Sequence, residues 1–334
     1  MIPVINQTKK IPAWQDSLRS MVRDPLELLQ RVGLADRADL VAAAQASAKL
    51  FPVRVTESYV ARMVVGDPDD PLLKQVLPLS DEGLDVAGYV ADPIGESGFM
   101  PTQGLLQKYQ GRALLLATGA CAIHCRYCFR RHYPYADNAL SDAAIDDVVQ
   151  QIKAQQLSEI ILSGGDPLMW PTDRIQSLVD RCIAETAVTT LRVHSRLPVV
   201  LPARLDDAFC AWWNTLPLQR VMVIHANHAN EINDEVARAL GRLEGTQVLN
   251  QAVLLKGVND SAAALIALSR ATFSAGALPY YLHLFDPVAG AAHFDVSESI
   301  AKGLINEMLS QLPGYLVPHL VREEVGGSSK TRIA

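Results

Sequence analysis

Beyond about residue 100 the chain falls into a rhythm of short apolar, often β-branched runs spaced roughly thirty residues apart. They read "RALLLATG", "EIILSGGD", "TLRVHSR", "VMVIHANH", "VLNQAVLLKG" and "YYLHLFD". Each ends in polar residues or glycine. Helical spacing fills the gaps. Ile145, Val148, Val149 and Ile152 follow a Ser141 cap, and Ile175, Leu178, Val179, Cys182 and Ile183 follow the second run. A further helix over 297–312 is expected to bury Ile300, Leu304, Ile305, Met308 and Leu309. Buried strands alternating with amphipathic helices imply parallel βα units and an α/β fold. The pattern fits a partial barrel or an open doubly wound sheet, and in both the functional rim lies at the C-terminal ends of the strands.

Residues 1–100 lack this rhythm and read as a helical, irregular N-terminal region, set apart from a core over 101–334. "DPLELLQRVGL" (25–35) carries Leu26, Leu28, Leu29 and Val32 and stops at Gly33, the signature of a helix with a C-terminal glycine. "TESYVARMVV" (56–65) predicts another helix, opened by Thr56. Turn residues accumulate over 91–104, which places the boundary near residue 100.

Composition narrows the function classes. Hydrophobic residues make up 49% and charged residues 20%, the balance of a folded soluble protein. No apolar stretch approaches the roughly 18 residues of a membrane span. The opening "MIPVINQTKKIPAW" lacks the long apolar core of a secretory leader, so a cytoplasmic location is expected. A net charge of −6 disfavours a nucleic-acid partner.

Five cysteines, an odd number, argue against a disulfide framework. Three of them, Cys121, Cys125 and Cys128 in "CAIHCRYC", follow the first βα strand in a loop at the functional rim. Buried thiols, a zinc site completed by His124 or His132, and an iron–sulfur cubane with one iron left open are the readings. Cys182 and Cys210 fit the core.

"CAIHCRYC" resembles the CxxxCxΦC signature of radical S-adenosylmethionine enzymes, with Tyr127 at the aromatic position. The resemblance implies a partial (β/α)6 barrel with an N-terminal helical extension. It also implies a [4Fe–4S] cluster on Cys121, Cys125 and Cys128, whose open iron takes S-adenosyl-L-methionine, and an external electron donor. "LSGGDP", with Ser163, Gly164, Gly165 and Asp166, looks like the family's glycine-rich motif for the methionine amino group.

Within that group "CRYCFRRH", "SRLPVVLPARL", "NHANEI", "NQAVLLKGVND", "PYYLHLFD" and "GGSSK" resemble the lysine 2,3-aminomutases. That implies an isomerase turning L-lysine into β-lysine with pyridoxal 5'-phosphate. Lys330 would carry this cofactor as an aldimine, after a turn that here contains Ser328 and Ser329. Lys108 and Tyr109 match cofactor contacts. Arg130 matches the arginine for the substrate carboxylate. Asp286 and Glu323 match two acidic residues for its distant ammonium, with glutamate at 323 in place of the family's aspartate. The short chain and "DPLELLQRVGL" look like the branch that supplies β-lysine for modifying elongation factor P, which makes that factor or its β-lysine ligase a possible partner. The rival readings are an aminomutase acting on free lysine or another amino acid, and a non-catalytic zinc protein.

Overall fold

The computed structural model describes residues 12–327 and 329–334, with Ser97 described by its backbone alone. Among the described residues nine strands form one sheet in chain order: β1 Leu105–Leu106, β2 Arg112–Thr118, β3 Glu159–Gly164, β4 Thr190–Ser195, β5 Gln219–Ile224, β6 Thr246–Val253, β7 Leu278–His283, β8 His319–Arg322 and β9 Thr331–Arg332. Neighbours from β2 to β8 pair in parallel, and the two-residue strands β1 and β9 cap the edges antiparallel. The six apolar runs become β2 to β7. The seventh parallel strand, β8, is too short to stand out in the sequence.

Side chains on alternate positions of β2 to β7, from Leu114 through Arg192 and Gln251 to Tyr281, line one cavity. One face of the sheet therefore curls around a lumen, the partial barrel that the motifs imply. The opposite face packs on helices such as Ile145–Ala154 and Thr172–Glu185, which bury Val148, Val149, Ile152, Ile175, Leu178, Val179 and Cys182. Each large side chain so buried contributes roughly 1.5–3 kcal/mol.

The helix Glu298–Gln311 departs from expectation: it buries Ala301, Ile305 and Met308, while Ile300 and Leu309 are exposed. At 3.6 residues per turn the stripe of i, i+4 and i+7 turns Ile300 well away from the core, and Ala301 lets the helix approach closely.

In the N-terminal region Asp24 caps Pro25–Arg31, and Thr56 caps a helix that ends at Val60, shorter than its apolar residues suggest. The main hydrophobic cluster runs from Trp14 to Leu320 without a break at residue 100. Among the described residues no helix is long and apolar enough to cross a membrane.

Candidate active site

The C-terminal ends of the strands open into a cavity of about 710 Å³. Its walls include Cys121, Cys125, Cys128, Arg130, Ser163, Gly164, Gly165, Asp166, Asp286, Glu323 and Lys330. Lys108, Tyr109 and Tyr127 also line it. All the site residues read from the sequence thus meet in one place, although β2 and β8, which deliver the cysteines and the lysine, lie six strands apart.

The cysteine loop is framed by the N-terminal region. The His124 amide donates to the Arg54 carbonyl and the Arg126 amide to that of Gln75. Arg126 forms a fully buried ion pair with Glu82, which also accepts from Arg131. Burial, with repulsion from neighbouring sulfurs, raises the Cys121 thiol well above its usual range and pushes Cys128 up to about 11. Binding to a cationic centre reverses that preference. Arg196 Nη1 donates to Cys125 Sγ at 2.6 Å. The same guanidinium reaches Tyr127 Oη at 2.6 Å, Gln75 Oε1 at 2.8 Å and Glu231 Oε2 at 2.9 Å. The Tyr127 hydroxyl is thereby committed to protein partners.

His124 stacks on Phe51 with its Nδ1 on the Pro52 carbonyl, and His132 Nε2 sits on the carbonyl of Ala289. Among the described residues no three His, Cys, Asp or Glu side chains converge at the spacing of a single metal ion. Thiolates that each bind a different iron of a cubane stand further apart than ligands of one zinc.

The glycines after β3 are dictated by backbone contact. Gly164 has φ 121°, and a Cβ on it would lie 2.7 Å from the Thr118 carbonyl oxygen. A Cβ on Gly165 would lie 2.5 Å from that of Ala120. Asp166 is spent within the fold: Oδ1 accepts from the Leu168 amide and the Ser195 hydroxyl, and Oδ2 from the amides of Arg196 and Leu197. This carboxylate ties the end of β3 to the end of β4. The Gly164 carbonyl accepts from Tyr135 Oη at 2.7 Å and Arg130 Nη1 at 3.2 Å.

Arg130 is held by Glu96 through Nε and Nη2, both at 2.6 Å. Three of its five N–H groups are in use, leaving one on each Nη for a ligand.

Lys330 lies in the turn between β8 and β9, with Nζ 2.6 Å from Glu323 Oε2. Glu323 also accepts from Tyr109 Oη and lies 3.6 Å from Lys108 Nζ. Lys108 donates to the Ile94 carbonyl at 2.8 Å. Burial penalises the Glu323 charge, but the Lys330 ammonium and its other donors outweigh that and hold the carboxyl below its ordinary range. Burial pushes Asp286 up to about 7, an effect the Lys330 ammonium only partly offsets. Ser328 lies outside the described residues, and Ser329 lines the cavity.

Residues 115–267 match the Radical SAM superfamily. The chain is 44% identical to the L-lysine 2,3-aminomutase of Escherichia coli (strain K12), covering 95% of this chain and 93% of that protein. The chain belongs to the L-lysine 2,3-aminomutase family. The enzyme of the same name from Haemophilus influenzae is 40% identical over 99% of this chain and 98% of its own. The one from Clostridium subterminale is 30% identical over 96% of this chain and 77% of its own. Membership makes this a radical SAM isomerase, with a [4Fe–4S] cluster, S-adenosyl-L-methionine and pyridoxal phosphate as its cofactor set.

The residues present fit that set. Three thiols on one cavity wall, with a guanidinium on Cys125 Sγ, suit an anionic iron–sulfur centre. A half-buried primary amine between carboxylates, with Lys108 and Arg112 on the same walls, suits a phosphorylated aldehyde.

Several lining residues escaped the sequence reading: Glu96, Arg112, Arg196, His225 and Gln251 among them. Those on strands had a signal. A polar side chain at every second position of an otherwise buried parallel strand marks the lumen, as in "LRVHSR". Glu96 had none, because it stands in an irregular stretch.

Proposed function

We propose that this protein is an L-lysine 2,3-aminomutase producing β-lysine, and that the product serves the modification of elongation factor P. One observation carries the first part: the cysteine loop, Arg130, the Asp286–Glu323 pair and Lys330 all line a single cavity. The finer role rests on "DPLELLQRVGL", whose Asp24-capped helix Pro25–Arg31 belongs to the part of the chain that resembles the elongation factor P branch.

When bound, the cluster with S-adenosyl-L-methionine supplies a hydrogen-abstracting radical, and pyridoxal phosphate supplies an electron sink for the migrating nitrogen. The rest is positioning by the chain. Cys121, Cys125 and Cys128 hold the cluster, and Gly164 and Gly165 let the β3 loop approach its ligand closely. Lys108 and Tyr109 stand at the cofactor's side of the cavity. Arg130 presents its two unspent N–H groups to the substrate carboxylate. Glu323, held ionised, places negative charge where the side-chain ammonium ends, and that cation would draw Asp286 into its charged form as well, which favours a cationic over an acidic substrate.

Lys330 must lose a proton from Nζ before it can carry the aldehyde, and Glu323 Oε2 at 2.6 Å is placed to receive it. Apolar walls from Leu114, Ile161, Val223 and Val253 exclude water from the reacting region.

The test is anaerobic reconstitution with iron, sulfide and pyridoxal phosphate, then S-adenosyl-L-methionine, a reductant and L-lysine. Chiral analysis should find β-lysine, and the Lys330→Ala variant should lose the yellow chromophore while keeping its iron. Unreacted lysine from a fully loaded enzyme refutes the reading. For the cellular role, deletion should remove the β-lysyl mass from elongation factor P, and an unchanged mass separates the two halves of the proposal.

A further inference from the structure

Two imidazoles near Lys330 have no task in the scheme above. His194 on β4 and His283 on β7 line the same cavity, and the Nε2 of each is buried without a hydrogen-bond partner. His225 on the same wall differs, because its Nε2 lies 2.9 Å from Tyr127 Oη and 3.4 Å from Asn227 Nδ2. A buried polar atom left unpaired costs about 1–3 kcal/mol, so two of them on one cavity wall point to a ligand.

Their position indicates which ligand. Lys330 Nζ lies 5.9 Å from the centroid of the Tyr281 ring, and that ring meets the His283 ring edge-on at 5.6 Å. His283 is therefore one side chain removed from the amine. Both histidines feel the Lys330 charge, and His283 feels His194 as well. Burial first, then Arg192 and Lys330 at His194 and Lys330 at His283, hold both rings neutral, His194 down to about 3.

Neutral rings are poor partners for the charged ends of lysine, for which Arg130 and the two carboxylates are better matched. They suit uncharged or weakly charged polar atoms on an aromatic cofactor, where each ring offers a single donor and a single acceptor.

We propose that His194 and His283 hydrogen-bond the polar edge of the pyridoxal ring system that Lys330 carries, making them cofactor-positioning residues. The inference rests on the reading of Lys330 given above. A protonated pair in the same place would repel the Lys330 ammonium and one another. Neutrality lets both rings share the cavity with the amine.

The test titrates pyridoxal phosphate into the anaerobically reconstituted enzyme and into His194→Leu and His283→Phe variants, read by visible absorbance. S-adenosyl-L-methionine binding is measured separately. Each variant should bind pyridoxal phosphate about tenfold more weakly, the loss of roughly one hydrogen bond, with a shifted absorption maximum and unchanged S-adenosyl-L-methionine affinity. His283→Gln and His194→Asn, which keep a polar atom in place, should recover most of the affinity and carry the test if the apolar variants do not fold. Unchanged affinity and band position in both apolar variants overturn the proposal, as does a loss confined to S-adenosyl-L-methionine. If the parent and Lys330→Ala give the same spectrum, the Lys330 reading itself has failed and this inference falls with it.

Discussion

Removing the Glu96 carboxylate should destabilise the protein more than its place in an irregular stretch suggests. Glu96 and Arg130 side chains are 5% and 7% exposed, and both contacts between them are 2.6 Å. In Glu96→Ala the guanidinium keeps only the Gly164 carbonyl at 3.2 Å. Stranding one partner of a buried ion pair typically costs about 3–5 kcal/mol. Water in the cavity can reach the two unspent N–H groups, so the lower end, about 3 kcal/mol, is expected here. At roughly 2 °C per kcal/mol for a chain of this size, the melting temperature should fall by about 6 °C. Thermal unfolding followed by circular dichroism on the cofactor-free protein reads this directly. The companion is the double variant Glu96→Leu with Arg130→Met, which replaces the pair by apolar groups of similar length. It should recover to within about 1 kcal/mol of the parent. A Glu96→Ala loss below about 1 kcal/mol, or a double variant as unstable as the single, would show that Arg130 does not depend on Glu96.

Two further outcomes follow from the same geometry. Asp286 has a folded pKa of about 7 against an ordinary 3.8, so the folded protein holds a proton there that the unfolded chain has released. Its contribution is fully present below pH 4 and is lost as pH rises through about 7, by at most about 4 kcal/mol and by less where cavity water reaches it. Urea titrations across that window should show a slope that Asp286→Asn removes, and an equal slope in the variant assigns it elsewhere. For Gly165→Ala, the new Cβ would meet backbone atoms, the Ala120 oxygen at 2.5 Å and the Gly119 carbon at 2.8 Å, which cannot swing aside. A loss of about 1–3 kcal/mol is expected by urea unfolding, and a neutral result would show that the β3 loop can relax.

Much of the barrel was legible because β2 to β7 each keep an apolar face toward the helices: β2 and β3 leave continuous apolar runs, and β4 and β6 alternate apolar with polar positions. The four residues of β8 could not, since "HLVR" carries no more signal than many loops. Helix faces were legible where the stripe was wide, as at Thr172–Glu185, and misjudged at Ile300 and Leu309, where Ala301 sets the contact. Of the site, the cysteine spacing was visible in the residues themselves. Lys330 stood out only by resemblance, since a short polar tail looks mobile until pairing fixes it. In the structure the tail returns as β9, with the Ile333 amide on the Leu320 carbonyl at 2.8 Å. Glu96 was invisible because its partner Arg130 is more than thirty residues away, and only the fold brings those charges together.

The way the sheet ends explains why Lys330 and the cysteine loop can share a cavity. A parallel sheet that stops short of closure leaves two edges, and here each is blunted by a two-residue antiparallel strand. The gap is then joined by side chains rather than by a ladder. Tyr109 and Lys108, in the turn between β1 and β2, both reach Glu323, just beyond β8. Nearby, Val90 exchanges backbone hydrogen bonds with Pro287 and Ala289. Glu323 is thus the point where the first and last parallel strands meet, and it also holds Lys330. A carboxylate that joins the barrel's edges and also pairs with the Lys330 amine ties closure of the cavity to the position of that amine. Aspartate at this position would be a methylene shorter and could not span the same gap without drawing the edges together. The glutamate at 323 therefore matches the width of this barrel's opening.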